Sequence, residues 1–305
     1  MVSVLLAAYN GERFIRAQLD SLLSQSFKDL EIVYSDDGST DGTLEILQSC
    51  EKEFPHRIRG IYGEPGGNAQ GNFFKLLSRV SGEYLMLCDQ DDIWLPDKVE
   101  VTLKEMKRME EQYQNTTPIL VHSDLSVTDQ EANIRHRSLA RYQKIAVNDN
   151  RFSHYLVENN ITGNTIMINR AFQELLSDIP DECVMHDWWL GLLASCFGKI
   201  SYIDRPMTLY RQHGENQVGA AGAVEQAIRR KGGRETVKEN YRKLFRQAEN
   251  FYDYYKMRMT PEQRETLEQF LRLPSMNRGE KIRTIIKYQF VKSTPLRTLG
   301  QMLSI

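Results

Sequence analysis

The first 110 residues alternate between continuous apolar runs and segments in which apolar positions have helical spacing. The run Val2 to Ala8 is typical of a buried strand, and Gly11 to Leu23 then shows the three- and four-residue spacing of an amphipathic helix. The same order recurs three times, with strands expected at Leu30–Ser35, Ile58–Tyr62 and Tyr84–Cys88 and helices at Thr43–Cys50, Asn72–Leu77 and from Pro96 onward. This alternation predicts an α/β fold with a mostly parallel sheet flanked by helices.

The rest of the chain has a different pattern. Between residues 118 and 222, short strands around a single helix, Asp187 to Phe197, predict a smaller mixed sheet. The strands are expected at Ile119–His122, Thr165–Ile168, Lys199–Ile203 and Met207–Arg211. From Ala223 onward helical patterns dominate, with breaks at Gly232-Gly233, Pro261 and Pro274. We therefore expect a main domain at residues 1–222 and a helical region at residues 223–305.

Polar loops follow three of the expected parallel strands. They comprise Tyr9–Glu12, Asp36–Asp41 and Asp89–Asp92. We expect them to converge, because α/β sheets bind ligands at the edge where the carboxyl ends of parallel strands lie. In the second loop, turn formation and helix capping by Asp41 account for the residues from Ser39 onward. Asp36 and Asp37 are also suited to accept hydrogen bonds from a pyrimidine ring and from ribose hydroxyls.

The third loop crowds three carboxylates, Asp89, Asp91 and Asp92, into four positions. Like charges about 5 Å apart repel by roughly 3 kcal/mol per pair at an effective dielectric constant near 20, so a cation is expected nearby. The chain has neither a G-x-G-x-x-G dinucleotide fingerprint nor a P-loop, so phosphate must be held in another way. Mg²⁺ or Mn²⁺, bound by carboxylates and completed by phosphate oxygens, fits this need.

Composition and charge narrow the class of protein. With 305 residues, 41% hydrophobic and 26% charged, the chain can bury a sizeable core. The N-terminal apolar run is too short for a signal sequence or a spanning helix, which favours a cytoplasmic protein. No C-x-x-C pair occurs, so we expect four reduced cysteines: Cys50, Cys88, Cys183 and Cys196.

The charge is distributed unevenly. Residues 223–305 carry 18 Lys and Arg against 9 Asp and Glu, whereas residues 1–222 carry 21 against 32. The basic residues of the C-terminal region alternate with apolar ones, as in Lys281 to Phe290, which suits either solvated helices packed on the main domain or contact with an anionic membrane surface. The acidic main domain would oppose nucleic-acid binding, so no nucleic-acid partner is expected.

Four segments together carry a resemblance to a known family. In order and spacing, MVSVLLAAYNGE, SDDGSTDGT, CDQDDIWLPDK and MHDWWLGLLASCFGKISYIDRPMTLYRQHGENQVG resemble the family 2 glycosyltransferases with the GT-A fold. The sequence is most similar to rhamnosyltransferase-like members that build bacterial surface polysaccharides. The resemblance covers about residues 1–222 and implies a Rossmann-like nucleotide-sugar-binding catalytic domain there.

The resemblance implies roles for the loop residues. Tyr9, Glu12 and Asp36 fall where the family contacts the nucleotide base and ribose, with Asp37 assisting. Asp89-Gln90-Asp91 matches the D-x-D motif, in which Asp91 would bind the metal and Asp89 would lie near ribose or metal, and Gln90 would take part in nucleotide-sugar binding. Asp92 is expected either as a sugar contact or as a loop or capping residue, and Asn72 either as a nucleotide contact or as a helix cap.

The fourth segment supplies the expected catalytic residue. Asp187 stands where the family places its base, and its alternative role is helix capping. His186 replaces the Glu of many relatives at a sugar contact, and Trp188 is expected to stack on sugar or to join Trp189 in the core. His213 would bind the metal or close over the diphosphate together with residues 214–222, including Asn216, and its alternative is a surface histidine.

These assignments predict an inverting, metal-dependent transferase. The chain lacks the Q-x-x-R-W motif of processive synthases, which favours the transfer of a single sugar. The best guess is L-rhamnose from dTDP-rhamnose, transferred to a growing, lipid-linked glycan on the inner face of the bacterial membrane. UDP-glucose or UDP-galactose as donor, a nucleotidyltransferase, and a non-catalytic glycan- or nucleotide-binding homologue remain alternatives. A homo-oligomer is left open.

Overall fold

The computed structural model describes residues 1–177, 183–213 and 234–304. These residues form two compact units, each assembled from separate parts of the chain. The first comprises residues 1–139, 162–177 and 198–213, and the second comprises residues 140–161, 183–197 and 234–304. The boundary expected between residues 222 and 223 lies outside the described residues and stays a prediction.

The first unit contains a nine-stranded sheet, which confirms the predicted α/β class. The strands are β1 (Val2–Ala8), β2 (Leu30–Asp36), β3 (Ile58–Gly60), β4 (Tyr84–Asp89), β5 (Ile93–Trp94), β6 (Ile119–Thr128), β7 (Ile134–His136), β8 (Met167–Asn169) and β9 (Lys199–Arg211). Their order is β3-β2-β1-β4-β8-β6-β9-β5, with β7 paired to β6. The expected smaller mixed sheet is therefore continuous with the parallel one.

The parallel half of the sheet brings three strand ends to one level. All seven residues of β1 are buried, as its mostly apolar composition, interrupted only by Ser3, predicts for a strand covered on both faces. Its parallel register pairs Ala8 with Asp36 of β2 and Ala7 with Asp89 of β4. The polar loops that follow these three strands therefore begin side by side.

The other half of the sheet differs from the expected pattern. Antiparallel β8 separates β4 from β6, and β6 then pairs in parallel with β9. The two strands expected at Lys199–Ile203 and Met207–Arg211 are one continuous strand, because β9 follows β6 through register shifts rather than ending in a turn. Its far end also pairs with β5, which places Arg211 close to the loop between β4 and β5.

Helices follow the strands in the predicted order. They are α1 (Ile15–Leu23), α2 (Thr43–Glu53), α3 (Ala69–Arg79), α4 (Lys98–Tyr113), α5 (Leu139–Gln143), α6 (Phe152–Tyr155), α7 (Arg170–Gln173), α8 (His186–Phe197), α9 (Arg234–Tyr255), α10 (Pro261–Arg272), α11 (Arg278–Lys287) and α12 (Pro295–Ser304). Four expected helix starts differ from the structure. Helix α1 begins at Ile15 rather than Gly11, and α4 begins at Lys98 rather than Pro96. Helix α3 begins at Ala69 rather than Asn72, and α8 begins at His186 rather than Asp187.

The second unit is helical in its described part and has an aromatic core. Trp189 of α8 packs edge-on against Phe251 of α9, and Phe197 stacks on the same ring. The predicted breaks at Pro261 and Pro274 are confirmed, since α10 starts at the first and a short 3-10 helix, Leu273–Ser275, contains the second. Among the described residues, no helix combines the length and hydropathy needed to cross a membrane. All four cysteines are free, as expected.

Candidate active site

The polar loops after β1 and β4 are joined by hydrogen bonds to one side chain. The backbone N–H of Tyr9 donates to Oε1 of Gln90 at 2.8 Å, and Nε2 of Gln90 donates to the carbonyl of Tyr9 at 2.7 Å. The side-chain amide of Gln90 thus braces the first loop, while the ring of Tyr9 remains 55% exposed. Of these two predicted nucleotide-binding residues, Tyr9 presents the accessible surface.

The loops after β1 and β2 are also held together. Asn10, whose φ is +47°, accepts a hydrogen bond from the N–H of Thr40 at 2.8 Å and donates its own N–H to Ser39 Oγ at 2.9 Å. Glu12 accepts from the N–H of Gly42, the residue that precedes α2, at 2.9 Å. The expected convergence of the three loops is therefore confirmed.

The adjacent carboxylates after β2 each organise a turn. Asp36 accepts from the N–H groups of Gly38 at 3.0 Å and Ser39 at 2.9 Å. Asp37 accepts from the N–H groups of Gly66 and Gly67, in the segment that precedes α3. Both carboxylates are only partly buried, so they combine a structural contact with a surface that a nucleotide could approach.

Asn72 has a different position from either expectation. The cap of α3 is Asn68, whose side chain accepts from the N–H of Gly71, and Asn72 lies in the first turn with only 1% of its surface exposed. Its Nδ2 donates to the carbonyls of Ala8 at 3.3 Å and Ser35 at 2.9 Å. Asn72 therefore joins the ends of β1 and β2 from inside, and capping by this residue was the wrong expectation.

Two of the predicted metal ligands meet in the structure. Nε2 of His213 lies 2.7 Å from Oδ2 of Asp91, although the residues are 122 positions apart. Only 8% of the His213 side chain and 14% of the Asp91 side chain are exposed. The imidazole also packs on the ring of Phe14 just before α1, with a centroid distance of 4.8 Å. His213 is thus not a surface histidine.

Arg211 holds this pair in place, and sequence reasoning missed it. Its Nε donates to the carbonyl of Asp91 at 2.9 Å, and its guanidinium lies 4.9 Å from the centroid of the Phe14 ring that contacts His213. A further guanidinium N–H donates to the carbonyl of Gln130. The only signal in the sequence was its position two residues before His213 at the end of an apolar strand.

Asp92, the last residue of the loop, is buried in the interior of the protein. Its side chain is fully buried and accepts hydrogen bonds from Nδ2 of Asn164 and from the N–H of Arg211, the latter at 3.1 Å. Burial raises the pKa of Asp92 well above its usual range, and the neighbouring charges of Asp91 and Asp89 act in the same direction. A side chain with no exposed surface does not contact a sugar, and the N-cap position of α4 belongs to Asp97, so the expected sugar contact and the expected helix cap are both corrected.

A buried lysine, Lys98, lies near Asp92, and its burial was not predicted from the sequence. Lys98, the first residue of α4, is fully buried, and its Nζ donates to the carbonyl of Asn164 at 2.5 Å and to Oγ1 of Thr208 at 2.7 Å. The ammonium also lies 3.6 Å from the centroid of the Trp94 ring. Burial lowers the pKa of Lys98 to about 7.

The side chains near these loops can be compared with the coordination that a divalent cation requires. Within residues 1–177, 183–213 and 234–304, no cluster of three or more His, Cys, Asp or Glu side chains is arranged to hold a metal. Asp91 and His213 could supply two ligands. Asp89 is the last residue of β4, lies two positions before Asp91 and is partly exposed. Mg²⁺ in phosphate-binding sites is commonly held by one or two carboxylates plus substrate phosphates. The residues therefore fit a cation whose coordination is completed by a diphosphate.

The second unit contains the predicted base. Asp187 lies in the first turn of α8, and its Oδ1 accepts from the N–H of Trp188 at 2.7 Å. The side chain is partly exposed. A helix N-terminus favours the ionised carboxylate, which is the form that a general base needs.

The neighbours of Asp187 have separate positions. Trp189 is fully buried in the aromatic core, while Trp188 is partly exposed and donates from Nε1 to the carbonyl of Tyr155 at 2.6 Å. His186 is 3% exposed, and burial lowers its pKa to about 3, so its ring is neutral near pH 7. This burial argues against the expected sugar contact. Residues 214–222, including Asn216, lie outside the described part of the chain.

Comparisons with known proteins identify the family of the chain. The family profile described as "Glycosyl transferase family 2" matches residues 3–176. The chain is 31% identical over 241 residues to the dTDP-rhamnosyl transferase RfbG of Shigella flexneri, an alignment that covers 74% of this chain and 78% of that protein.

Solved structures share the fold at low sequence identity. A structure of S. aureus TarS 1–349 in complex with UDP-GlcNAc has a TM-score of 0.56 and 18% identity, and covers 98% of this chain and 83% of its own. The mannosyltransferase PcManGT from Pyrobaculum calidifontis, in complex with GDP-Man and Mn²⁺, has a TM-score of 0.51 and 17% identity over 99% of this chain and 80% of its own. With a longer TarS structure the match covers 43% of that protein.

The likeness to TarS shows the GT-A fold alone, since the identity is low. The profile match extends over more than half of the residues and includes the loops after β1, β2 and β4. The relative from Shigella is more than 30% identical across most of the chain. The protein is therefore a glycosyltransferase and belongs to glycosyltransferase family 2.

Proposed function

We propose that the protein is an inverting, metal-dependent transferase that moves a single sugar from a nucleoside diphosphate to a glycan acceptor. The observation that carries the proposal is the pairing of Asp91 with His213 at the strand ends, beside loops that present Tyr9 and partly exposed carboxylates. The best candidate donor is dTDP-rhamnose, supported by the similarity to a dTDP-rhamnosyl transferase over 74% of the chain.

The metal would be held by Asp91 and His213, with Asp89 near it or near the ribose. Mg²⁺ and Mn²⁺ are the candidates, and the Mn²⁺ complex of the similarly folded mannosyltransferase supports a cation in this role. When bound, the cation would offset the negative charge that develops on the leaving diphosphate. Arg211 keeps Asp91 and His213 in register, because it binds the backbone of the first and the ring that packs on the second.

Asp187 would act as the general base. As an acceptor hydroxyl attacks the anomeric carbon, Asp187 takes the hydroxyl proton, and the bond from that carbon to the diphosphate oxygen breaks on the opposite face. One carboxylate is enough for this single displacement, which inverts the anomeric configuration. The hydrogen bond from the N–H of Trp188 would hold the carboxylate in place through Oδ1.

The acceptor would be a growing, lipid-linked glycan of a bacterial surface polysaccharide, and the enzyme would work on the cytoplasmic face of the membrane. The support is the basic excess of residues 223–305, with 18 Lys and Arg against 9 Asp and Glu.

Thermal stabilisation by a panel of donors tests the class of the reaction. dTDP-rhamnose, UDP-glucose, UDP-galactose and GDP-mannose would each be added with Mg²⁺, Mn²⁺ or EDTA. We expect a metal-dependent rise in melting temperature with one donor, most strongly with dTDP-rhamnose. A rise with another donor would show that the donor is not dTDP-rhamnose but would leave the proposed glycosyl transfer intact. No rise with any donor would favour a non-catalytic homologue.

The substitution Asp187→Asn tests the base. Asparagine keeps an Oδ1 acceptor for the N–H of Trp188 but cannot take a proton, so turnover should fall by at least a hundredfold while donor binding is retained. The control is Asp253→Asn, the same change at an exposed position of the second unit, where 74% of the side chain is exposed. Unchanged turnover in Asp187→Asn would reject its role as base.

A further inference from the structure

The C-terminal helix α12 has an apolar stripe that the described structure does not cover. Leu296, Leu299 and Leu303 are 74%, 54% and 66% exposed. Their spacing of three and four residues places them on one face of the helix. The stripe extends about 10 Å along the helix axis at 1.5 Å per residue.

The opposite face of α12 is polar and buried, which fixes the orientation of the leucines. Gln301 is 1% exposed and donates to the carbonyl of Phe290 at 3.0 Å. Arg297 is 11% exposed, pairs with Glu158 at 3.0 Å and donates to the carbonyl of Gln143 at 2.8 Å. Helices of globular proteins normally bury the apolar face and expose the polar one. In α12 the arrangement is reversed.

Positive charge lies close to this stripe in the sequence. The preceding helix α11 exposes Arg278, Arg283 and Lys287, and beside them Ile286 is 62% exposed. The hydrogen bond from Gln301 to Phe290, three residues beyond the end of α11, ties the two helices together. Apolar side chains beside cations are the combination that binds the interface of a bilayer with anionic headgroups.

A stripe of this size suits a bilayer better than a second protein surface. Stable protein interfaces bury about 800 Å² on each partner, far more than three leucines on one short helix supply. A bilayer needs no matching shape, because the leucines enter the acyl region while Lys and Arg remain among the headgroups. Exposed leucines are therefore an advantage at a membrane.

We propose that α12 docks on an anionic lipid bilayer through Leu296, Leu299 and Leu303, with the cations of α11 at the headgroups. The inference rests on the proposed function, since the bilayer is where a lipid-linked acceptor would be found. It adds the surface that the enzyme uses to reach that acceptor.

Flotation of the full chain with lipid vesicles tests the proposal. Vesicles of phosphatidylcholine alone would be compared with vesicles in which part of it is replaced by phosphatidylglycerol. We expect the chain to float with the anionic vesicles, and the double variant Leu299→Ser/Leu303→Ser to lose at least tenfold in affinity. The matched control, Ile134→Ser/Met257→Ser, removes two exposed apolar side chains elsewhere and should bind as the unmodified chain does.

Two further measurements test the role of the cations and separate membrane docking from the proposed chemistry. Arg283→Gln/Lys287→Gln should weaken binding to anionic vesicles while leaving any binding to neutral vesicles unchanged. Donor-induced thermal stabilisation of the leucine variant should equal that of the unmodified chain, so a failure of docking is distinguishable from a failure of the proposed chemistry. Vesicle binding that survives the leucine changes would overturn the proposal. So would a dimer in lipid-free solution that the same changes convert to monomer.

Discussion

The buried ammonium of Lys98 should make the stability of the protein depend on pH in a way that one substitution removes. Burial lowers its pKa from 10.5 to about 7, although Cys88, Asp92 and Asp89 act in the opposite direction. At 1.36 kcal/mol per pKa unit, keeping Lys98 protonated in the folded protein costs about 5 kcal/mol. The perturbation we consider is Lys98→Met, which keeps an unbranched side chain beside Trp94.

The sign follows from proton linkage. Between pH 7 and pH 10.5 the unfolded chain binds a proton on Lys98 that the folded chain has released, so the free energy of unfolding rises with pH in this range. From pH 7.5 to pH 9.5 this contribution amounts to about 3 kcal/mol. Lys98→Met lacks it. The variant also leaves the carbonyl of Asn164 and Oγ1 of Thr208 without their donor, a loss of about 1–3 kcal/mol for each group at every pH.

Urea unfolding at pH 7.5, 8.5 and 9.5 measures the effect, with fluorescence and circular dichroism checked for coincident transitions. The unmodified protein should gain about 3 kcal/mol over Lys98→Met across this range. Other titrating groups occur in both proteins and largely cancel in the difference. Lys104→Met, the same change at an exposed position of α4, should follow the unmodified protein. Parallel curves for the unmodified protein and Lys98→Met would refute the argument.

Two further predictions concern the loops of the site. His213→Ala should weaken metal-dependent binding of a nucleoside diphosphate at least tenfold, because it removes the proposed metal ligand 2.7 Å from Asp91. The control His56→Ala, at an exposed position, should not weaken it. Equal titrations with EDTA and with Mg²⁺ in the unmodified protein would contradict the prediction. Gly11→Ala should lower stability by about 2 kcal/mol, since its Cβ would lie 2.3 Å from Gln90 Oε1 and displace both hydrogen bonds to Tyr9. Gly300→Ala, with open space around its Cβ, is the control in thermal melts.

Local patterns were sufficient where neighbouring residues decide the structure. The mostly apolar run of β1 identified a strand buried on both faces, and its parallel pairing with β2 and β4 placed the polar loops together. The sequence identified Asp91 and His213 as candidate metal ligands, but their direct contact was not predicted, because no local pattern links residues 122 positions apart.

Residues whose role depends on distant partners were missed or misplaced. Lys98 follows Leu95-Pro96-Asp97, which is typical of a solvated helix start, yet its partners come from Asn164 and Thr208. Asp92 has the same composition around it as the partly exposed Asp91, but it is buried and accepts a hydrogen bond from the backbone N–H of Arg211, 119 positions away. Whether a charge is buried depends on what the rest of the fold places around it.

The sequence by itself determined the α/β class, the loops that form the site and the charge of the two ends of the chain. Only the tertiary structure decided which charged side chains are inside and which apolar ones are outside. Helical spacing groups Leu296, Leu299 and Leu303 on one face of α12, but it does not say which face the protein covers. The spacing of apolar residues shows that the helix has an apolar and a polar face. Which face is buried depends on contacts with residues far along the chain, such as the ion pair of Arg297 with Glu158.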